Sequence, residues 1–257
     1  MLPASSPPPG AVEVPARTRT FDIPAWSRLT NAQRVAIISR IGRDASQDPR
    51  IRRLAVSIFR ASGVEPRDYE GQASAILKTL QDRLFFVNEG DGRGAGEVLQ
   101  DPAYTLDLQP DGTIGPRASG DCDDFASTAV ALLESVHLPA RLVTSGRVGA
   151  RRIRWVEGVG RSPPGVAWSH IYVTVAPRPF RNKAYNAKTW RFFDATVSGA
   201  PLGWDCVSNG QGDPQLGDTL GDAEVVEGIT FKTAASLVAV SIVSAFVVGR
   251  MQKAGWL

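Results

Sequence analysis

The period of the hydrophobic pattern changes once along this chain, and that change limits the fold more than any other feature. Before the glycine-led turn at Gly120 the apolar residues recur at helical spacing. After Pro139 they fall into short runs rich in β-branched and aromatic residues, punctuated by Gly and Pro. Three helices are expected first. Thr30 and Gln33 form a capping box ahead of Val35 to Ile41, and Asp48 with Pro49 caps a second segment in which Ile51, Leu54, Ala55, Ile58 and Phe59 share a face before Gly63. A third runs from about Asp68 to Phe86 with Ile76, Leu80 and Leu84 on one stripe, and "NEGDGRGAG" at 88–96 breaks the pattern as a loop. The strands expected later are Ala140 to Val148, Arg151 to Val156, Gly165 to Ala176 and Thr189 to Ala195. Helices, then a central helix, then antiparallel strands is the α+β arrangement.

Composition bounds the rest. With 257 residues and 43% hydrophobic content the chain can bury a real core. A net charge of +3 does not call for nucleic acid, and none is expected as a partner, because Arg141, Arg147, Arg151, Arg152, Arg154 and Arg161 alternate with apolar residues as on the wet face of a strand. The start, "MLPASSPPPGAVEVPAR", has no basic segment followed by an apolar run, so residues 1–29 read as a Pro-rich disordered arm and no signal peptide is expected. Residues 30–96 read as a helical portion, 97–200 as the core and 201–230 as an irregular connection that covers the site. Residues 231–257 read as an apolar helix, uncharged from Thr233 to Gly249 and bracketed by Lys232 and Arg250. Such a helix is either a membrane anchor or a buried C-terminal helix packed against the body of the protein or against neighbouring subunits, as in a virion, with Ser241, Ala245 and Gly249 as a small-residue stripe.

The chemistry concentrates at "SGDCDDFAS", where Asp121 serves as N-cap and Cys122 falls on the first turn of a mostly apolar helix through Leu133. The helix dipole and free N–H groups there favour a thiolate and a developing oxyanion, while Asp121, Asp123 and Asp124 oppose the thiolate. His137 lies at the far end of that helix as a capping residue. His170, in "AWSHIYVTV", shares a strand face with Trp168, Tyr172 and Thr174, and reads as a structural histidine or as the cysteine's base. In "TWRFFDAT" Asp194 shares a face with Trp190 and Phe192, and antiparallel pairing about a loop centred on Asn182 sets it opposite His170. That register assembles a Cys122, His170, Asp194 triad. The three aspartates lack the spacing of a calcium loop, so neither metal nor cofactor is expected. Cys206 reads as a bystander, and both thiols as reduced.

The three motifs "GDCDDFASTAVALLESVHLPARLVTSG", "WSHIYVTV" and "WRFFDAT" resemble those of the transglutaminase-like superfamily of papain-like thiol enzymes, in the order Cys, His, Asp, over about residues 97 to 200. With "EVLQDPAYTL" upstream of the "GDCDD" box, the chain is most similar to the bacteriophage and prophage branch. The resemblance implies a transglutaminase-like/papain-like core, with Cys122 as nucleophile, His170 as base and Asp194 as orienting acid. Gln100 and Tyr104 become candidates for the upstream oxyanion donor. It implies a peptidase, amidase or transamidase acting on a protein or peptide amide, in a phage virion or at a membrane. Animal transglutaminases carry an aromatic residue where this chain has Asp123, a departure that bears on crosslinking chemistry. The alternative is a virion or membrane-associated structural protein that keeps the fold for assembly.

Overall fold

The computed structural model describes residues 12–13, 20–23, 26–87, 97–178 and 185–207. Short strands β1 (Val12–Glu13) and β2 (Thr20–Ile23) precede helices α1 (Asn31–Ala45), α2 (Pro49–Ala61) and α3 (Tyr69–Arg83). Strands β3 (Phe85–Phe86) and β4 (Glu97–Gln100), helix α4 (Pro102–Thr105) and strand β5 (Ser119–Gly120) lead to the central helix α5 (Cys122–Ser135). Strands β6 (Ala140–Val148), β7 (Arg151–Val156), β8 (Ala167–Val175) and β9 (Arg191–Phe193) follow. They form one antiparallel sheet in the order β7-β6-β8-β9. This is the α+β architecture expected from the change of period.

Local chemistry sets the helix starts as expected. Gln33 Oε1 accepts from the Thr30 N–H at 2.8 Å while the Thr30 hydroxyl accepts from the Gln33 N–H at 3.3 Å, a reciprocal cap. Asp48 caps α2 ahead of Pro49, and Asp68 caps α3 through the Gly71 N–H at 2.9 Å. The third helix stops earlier than Phe86. Leu84 turns extended, and the Phe85 and Val87 N–H groups donate to the carbonyls of Ala118 and Gly120 at 3.0 and 2.9 Å. Phe85–Phe86 thereby becomes a strand parallel to Ser119–Gly120, directly before Cys122.

One further difference concerns the start of the chain. Residues 20–23, read from composition as part of a disordered arm, pair antiparallel with Glu97–Gln100. Phe21 and Ile23 alternate inward and are buried, a two-residue period hidden among the surrounding prolines. The apolar helix expected at 231–257 lies outside the described residues, as does the loop 88–96. Among the described residues no helix is long and apolar enough to cross a membrane.

The core forms around α5. Val130, Ala131, Leu132 and Leu133 are wholly buried, against α1, α2, α3 and α4 on one side and against β8 on the other. The sheet face toward α5 carries Ile171, Val173, Val175 and Phe193. The opposite face carries a smaller cluster of Val143, Val156, Tyr172 and Cys206. Burying each such Leu contributes about 1.5–3 kcal/mol, so the helix is held by packing from all sides. His137 ends it in the left-handed region at φ 66°, the position where a glycine more often stands.

Helix α1 packs tightly against α5 at Gly42. A Cβ on Gly42 would sit 2.6 Å from the Ser127 carbonyl oxygen and 2.9 Å from Val130 Cβ, both on the rigid central helix. Gly42→Ala should therefore destabilise the chain by about 1–3 kcal/mol, read as a lower denaturant midpoint. An unchanged midpoint would contradict this packing.

Candidate active site

Three elements converge at the N-terminus of α5. Asp121 caps the helix, its Oδ1 accepting from the N–H groups of Asp123 and Asp124 at 3.2 and 3.4 Å. Gly120 lets Asp124 come close, since a Cβ there would meet Asp124 Cβ at 2.6 Å. Asp124 is 1% exposed, and its Oδ1 accepts from the Gln100 N–H at 2.8 Å, which ties β4 to the cysteine turn. Cys122 is half-buried at the first position of the helix.

The sheet supplies the other two residues. Ser145 pairs with His170 but Gly146 pairs with Trp168, so Ser169 is an extra residue in β8. The bulge re-aims the strand just before His170. Gly146 fits there because a Cβ would come within 2.3 Å of the Ala167 carbonyl oxygen. Pairing of β8 with β9 sets Val173 against Phe193 and Thr174 against Phe192. The ladder is therefore centred one residue beyond Asn182, and His170 meets Asp194 diagonally rather than directly across. The shift amounts to two residues, which preserves the face. His170 Nε2 lies 2.7 Å from Asp194 Oδ2, with the two residues 5% and 2% exposed. The other ring nitrogen, Nδ1, is buried and has no hydrogen-bond partner.

Asp194 of this pair shares a crevice with the thiol. Beyond the end of the β8–β9 ladder the Ile171 N–H points at the Cys122 sulfur, and the Asp194 carboxylate acts on its charge. Cys122, Ile171, Tyr172, Asp194 and Thr196 line one crevice, which in this structure has no room for a water molecule.

Electrostatics corrects the expectation of a thiolate favoured by the helix dipole. Burial first, and the Asp121 carboxylate second, push the Cys122 thiol well above its ordinary value, with the Ile171 N–H working in the other direction. The first-turn N–H groups of Asp123 and Asp124 are already taken by Asp121, so less of the dipole is free to act on sulfur. Asp194 shifts the opposite way. Burial raises it, but the charge of His170, its hydrogen bond and two bonds from Thr196 hold the carboxyl below its ordinary value.

The remaining candidates are placed as follows. Gln100 is buried with its Oε1 accepting from Thr105 Oγ1 at 3.5 Å, and Tyr104 is 42% exposed. Neither lines the crevice around Cys122. Glu97, Asp121 and Asp123 bring carboxylate oxygens within 4.8 Å of one another, a set that could hold a hard cation. Glu97 joins it across the β4–α5 contact, a member that spacing within "GDCDD" could not reveal, while Asp124 is spent on Gln100. Burial first and the Asp121 charge second push Asp123 well above the usual carboxylate range. His137 is exposed at the far end of α5. Cys206 is a free thiol on the outer sheet face, pushed up to about 11 chiefly by burial. Of the arginine run, Arg141 and Arg152 donate to the carbonyls of Glu157 and Cys206, and Arg154 is paired with Asp205.

Two measurements check this electrostatic picture. Asp121→Asn keeps an N-cap acceptor but deletes the charge, so Cys122 should alkylate with iodoacetamide at pH 8 several-fold to about tenfold faster; an equal or slower rate would contradict the assignment. Asp194 titrates lower in the folded than in the unfolded chain, so its contribution to stability is complete above the ordinary carboxylate range, near pH 4, and is lost as pH falls through the depressed folded value. The melting-temperature gap between native protein and Asp194→Asn should narrow from about pH 5 toward pH 2, and a gap constant with pH would count against a depressed Asp194.

No curated protein matches the chain. A solved structure described as a "Putative Cysteine Protease" from Cytophaga hutchinsonii is similar at 17% identity over 59% of this chain, with a TM-score of 0.33. The match spans only 40% of that protein's length. Residues 96–195 match the family model described as "Transglutaminase-like superfamily". That region runs from the residue before β4 to the residue after Asp194, and so takes in Cys122, His170 and Asp194 together; it supports a cysteine enzyme of the transglutaminase-like kind.

Proposed function

We propose that this chain is a thiol acyl-transfer enzyme acting on a protein or peptide amide, with Cys122 as nucleophile, His170 as base and Asp194 as orienting acid. The observation that carries the reading is the buried His170–Asp194 pair, 2.7 Å between Nε2 and Oδ2, with Nδ1 left unpartnered and Asp194 lining the crevice that holds Cys122. A neutral imidazole donating from Nε2 to Asp194 keeps its Nδ1 lone pair for the thiol proton. The "GDCDD" box and the "EVLQDPAYTL" stretch support assignment to the phage-type branch.

The raised thiol decides how the step runs. Little free thiolate waits at neutral pH, so Nδ1 takes the S–H proton as sulfur attacks the amide carbonyl carbon. The Cys122 N–H, at the start of the helix, is the donor placed for the developing oxyanion. Collapse of the tetrahedral adduct breaks the C–N bond, and His170 returns the proton to the leaving amine. Water or a second amine, deprotonated by Nδ1, then attacks the thioester and releases Cys122 as thiol. Water makes the reaction a hydrolysis, and an amine makes it a transamidation.

Incubation with quenched peptides, and separately with a glutamine-bearing peptide plus a fluorescent primary amine, distinguishes the two outcomes. Cys122→Ala and His170→Ala should each reduce turnover by about 10³-fold or more. Turnover that survives Cys122→Ala would overturn the assignment. Absence of any turnover in either assay would favour a protein that keeps the fold for assembly.

A further inference from the structure

The outer face of β8 holds a buried polar cluster that the triad chemistry leaves unused. Tyr172 follows His170 by two residues, so the rings share a face and stack, with centroids 5.3 Å apart and planes 15° from parallel. The Tyr172 hydroxyl donates to Asp205 Oδ1 at 2.6 Å. Arg154 donates to the other oxygen of Asp205, and its guanidinium lies 4.8 Å over the Phe192 ring. Tyr172 and Asp205 are both 2% exposed. Next in the chain, Cys206 donates to Ser145 Oγ at 3.4 Å, Ser145 being the cross-strand partner of His170. Arg152 donates to the Cys206 carbonyl at 3.1 Å. Residues 204–206 thus fold back from β9 and are fastened to β6, β7 and β8.

The chemistry gives such a clamp a purpose. An imidazole turns about two single bonds, and Asp194 restrains only one of its nitrogens. The other must stay unpartnered to accept the thiol proton, so further restraint has to come from the ring face. Tyr172 covers that face, and its own tilt is fixed by Asp205. A buried carboxylate persists only where it is paired, and Arg154 with the Tyr172 hydroxyl supplies the pairing. The phenol stays a donor throughout the working range, because burial first and then nearby acidic groups push its pKa upward.

We propose that Tyr172 and Asp205 are positioning residues for His170, the segment 204–206 locking the Tyr172 ring so that the stacked imidazole presents Nδ1 to Cys122. The proposal rests on the reading of His170 as the base. Asp205 lies beyond residues 96–195, the region matched by the family model.

The test is ¹⁵N NMR of the His170 ring in the full-length chain, assigned by loss of its signals in His170→Ala, alongside the rate of Cys122 alkylation by iodoacetamide. The native protein should give one pyrrole-type and one pyridine-type nitrogen, the signature of a single Nε2–H tautomer. Tyr172→Phe and Asp205→Asn should each move both signals toward their average and lower the His170-dependent part of the alkylation rate about tenfold. The double variant should be no worse than the poorer single one, because the two act as a unit. Lowered melting temperature with unmoved ring signals, or additive losses, would overturn the proposal. Should Asp205→Asn fail to fold, Tyr172→Phe, which removes one oxygen, decides alone. If His170→Ala alkylates Cys122 as fast as native protein, the catalytic reading fails and the positioning role fails with it; a failure of positioning alone shows as a slow His170→Ala chain beside unaltered Tyr172 and Asp205 variants.

Discussion

From Phe125 to Leu133 helix α5 has no face that tolerates water, and much of the architecture follows from covering it. One side is closed by four short helices, the other by the Ile171, Val173 and Val175 face of the sheet. A helix enclosed in this way has only its ends left for chemistry. Its C-terminus is closed by His137 in a left-handed turn, and its N-terminus opens at the edge of the sheet where β9 has stopped. Cys122 occupies that opening, so the packing that stabilises the core also delivers the sulfur to the residues of β8 and β9.

The sheet divides the labour between its faces. Toward α5 it is aliphatic and fixes the helix; away from α5 it carries His170, Tyr172 and Thr174, with Asp194 brought alongside by β9. The bulge at Ser169 lies directly before His170, and Asp194, which His170 contacts diagonally, lines the crevice that holds Cys122. Burial raises the thiol and is offset at Asp194 by His170 and Thr196, so at neutral pH the site holds a protonated sulfur beside an ionised carboxylate. That combination suits a base that works during attack rather than a thiolate stored beforehand.

What could be read from the sequence was local. Thr30, Asp48, Asp68 and Asp121 declare their helices through side chains that cap within three residues, and the strands of the four-stranded sheet declare themselves by composition and punctuation. The faces of His170 and Asp194 are legible because alternation along a strand is short-range, but alternation does not fix where two strands pair, and the β8–β9 register lies two residues from one centred on Asn182. Phe21 and Ile23 were lost among prolines, their strand existing only against β4. Glu97 and Asp205 were invisible for the same reason, since each reaches the site across the fold. The direction of the Cys122 shift could not be inferred either, because it depends on how deeply the first turn of α5 is buried.

The central claim is that the His170–Asp194 pair serves Cys122 as its base. Intact-mass spectrometry of the native chain, quenched in acid after brief mixing with a small activated acyl ester and followed by peptide mapping, tests it directly. The account predicts a single added acyl group on Cys122, absent from Cys206 and lost in His170→Ala. Acylation at Cys206, or acylation of Cys122 that persists undiminished without His170, would contradict it.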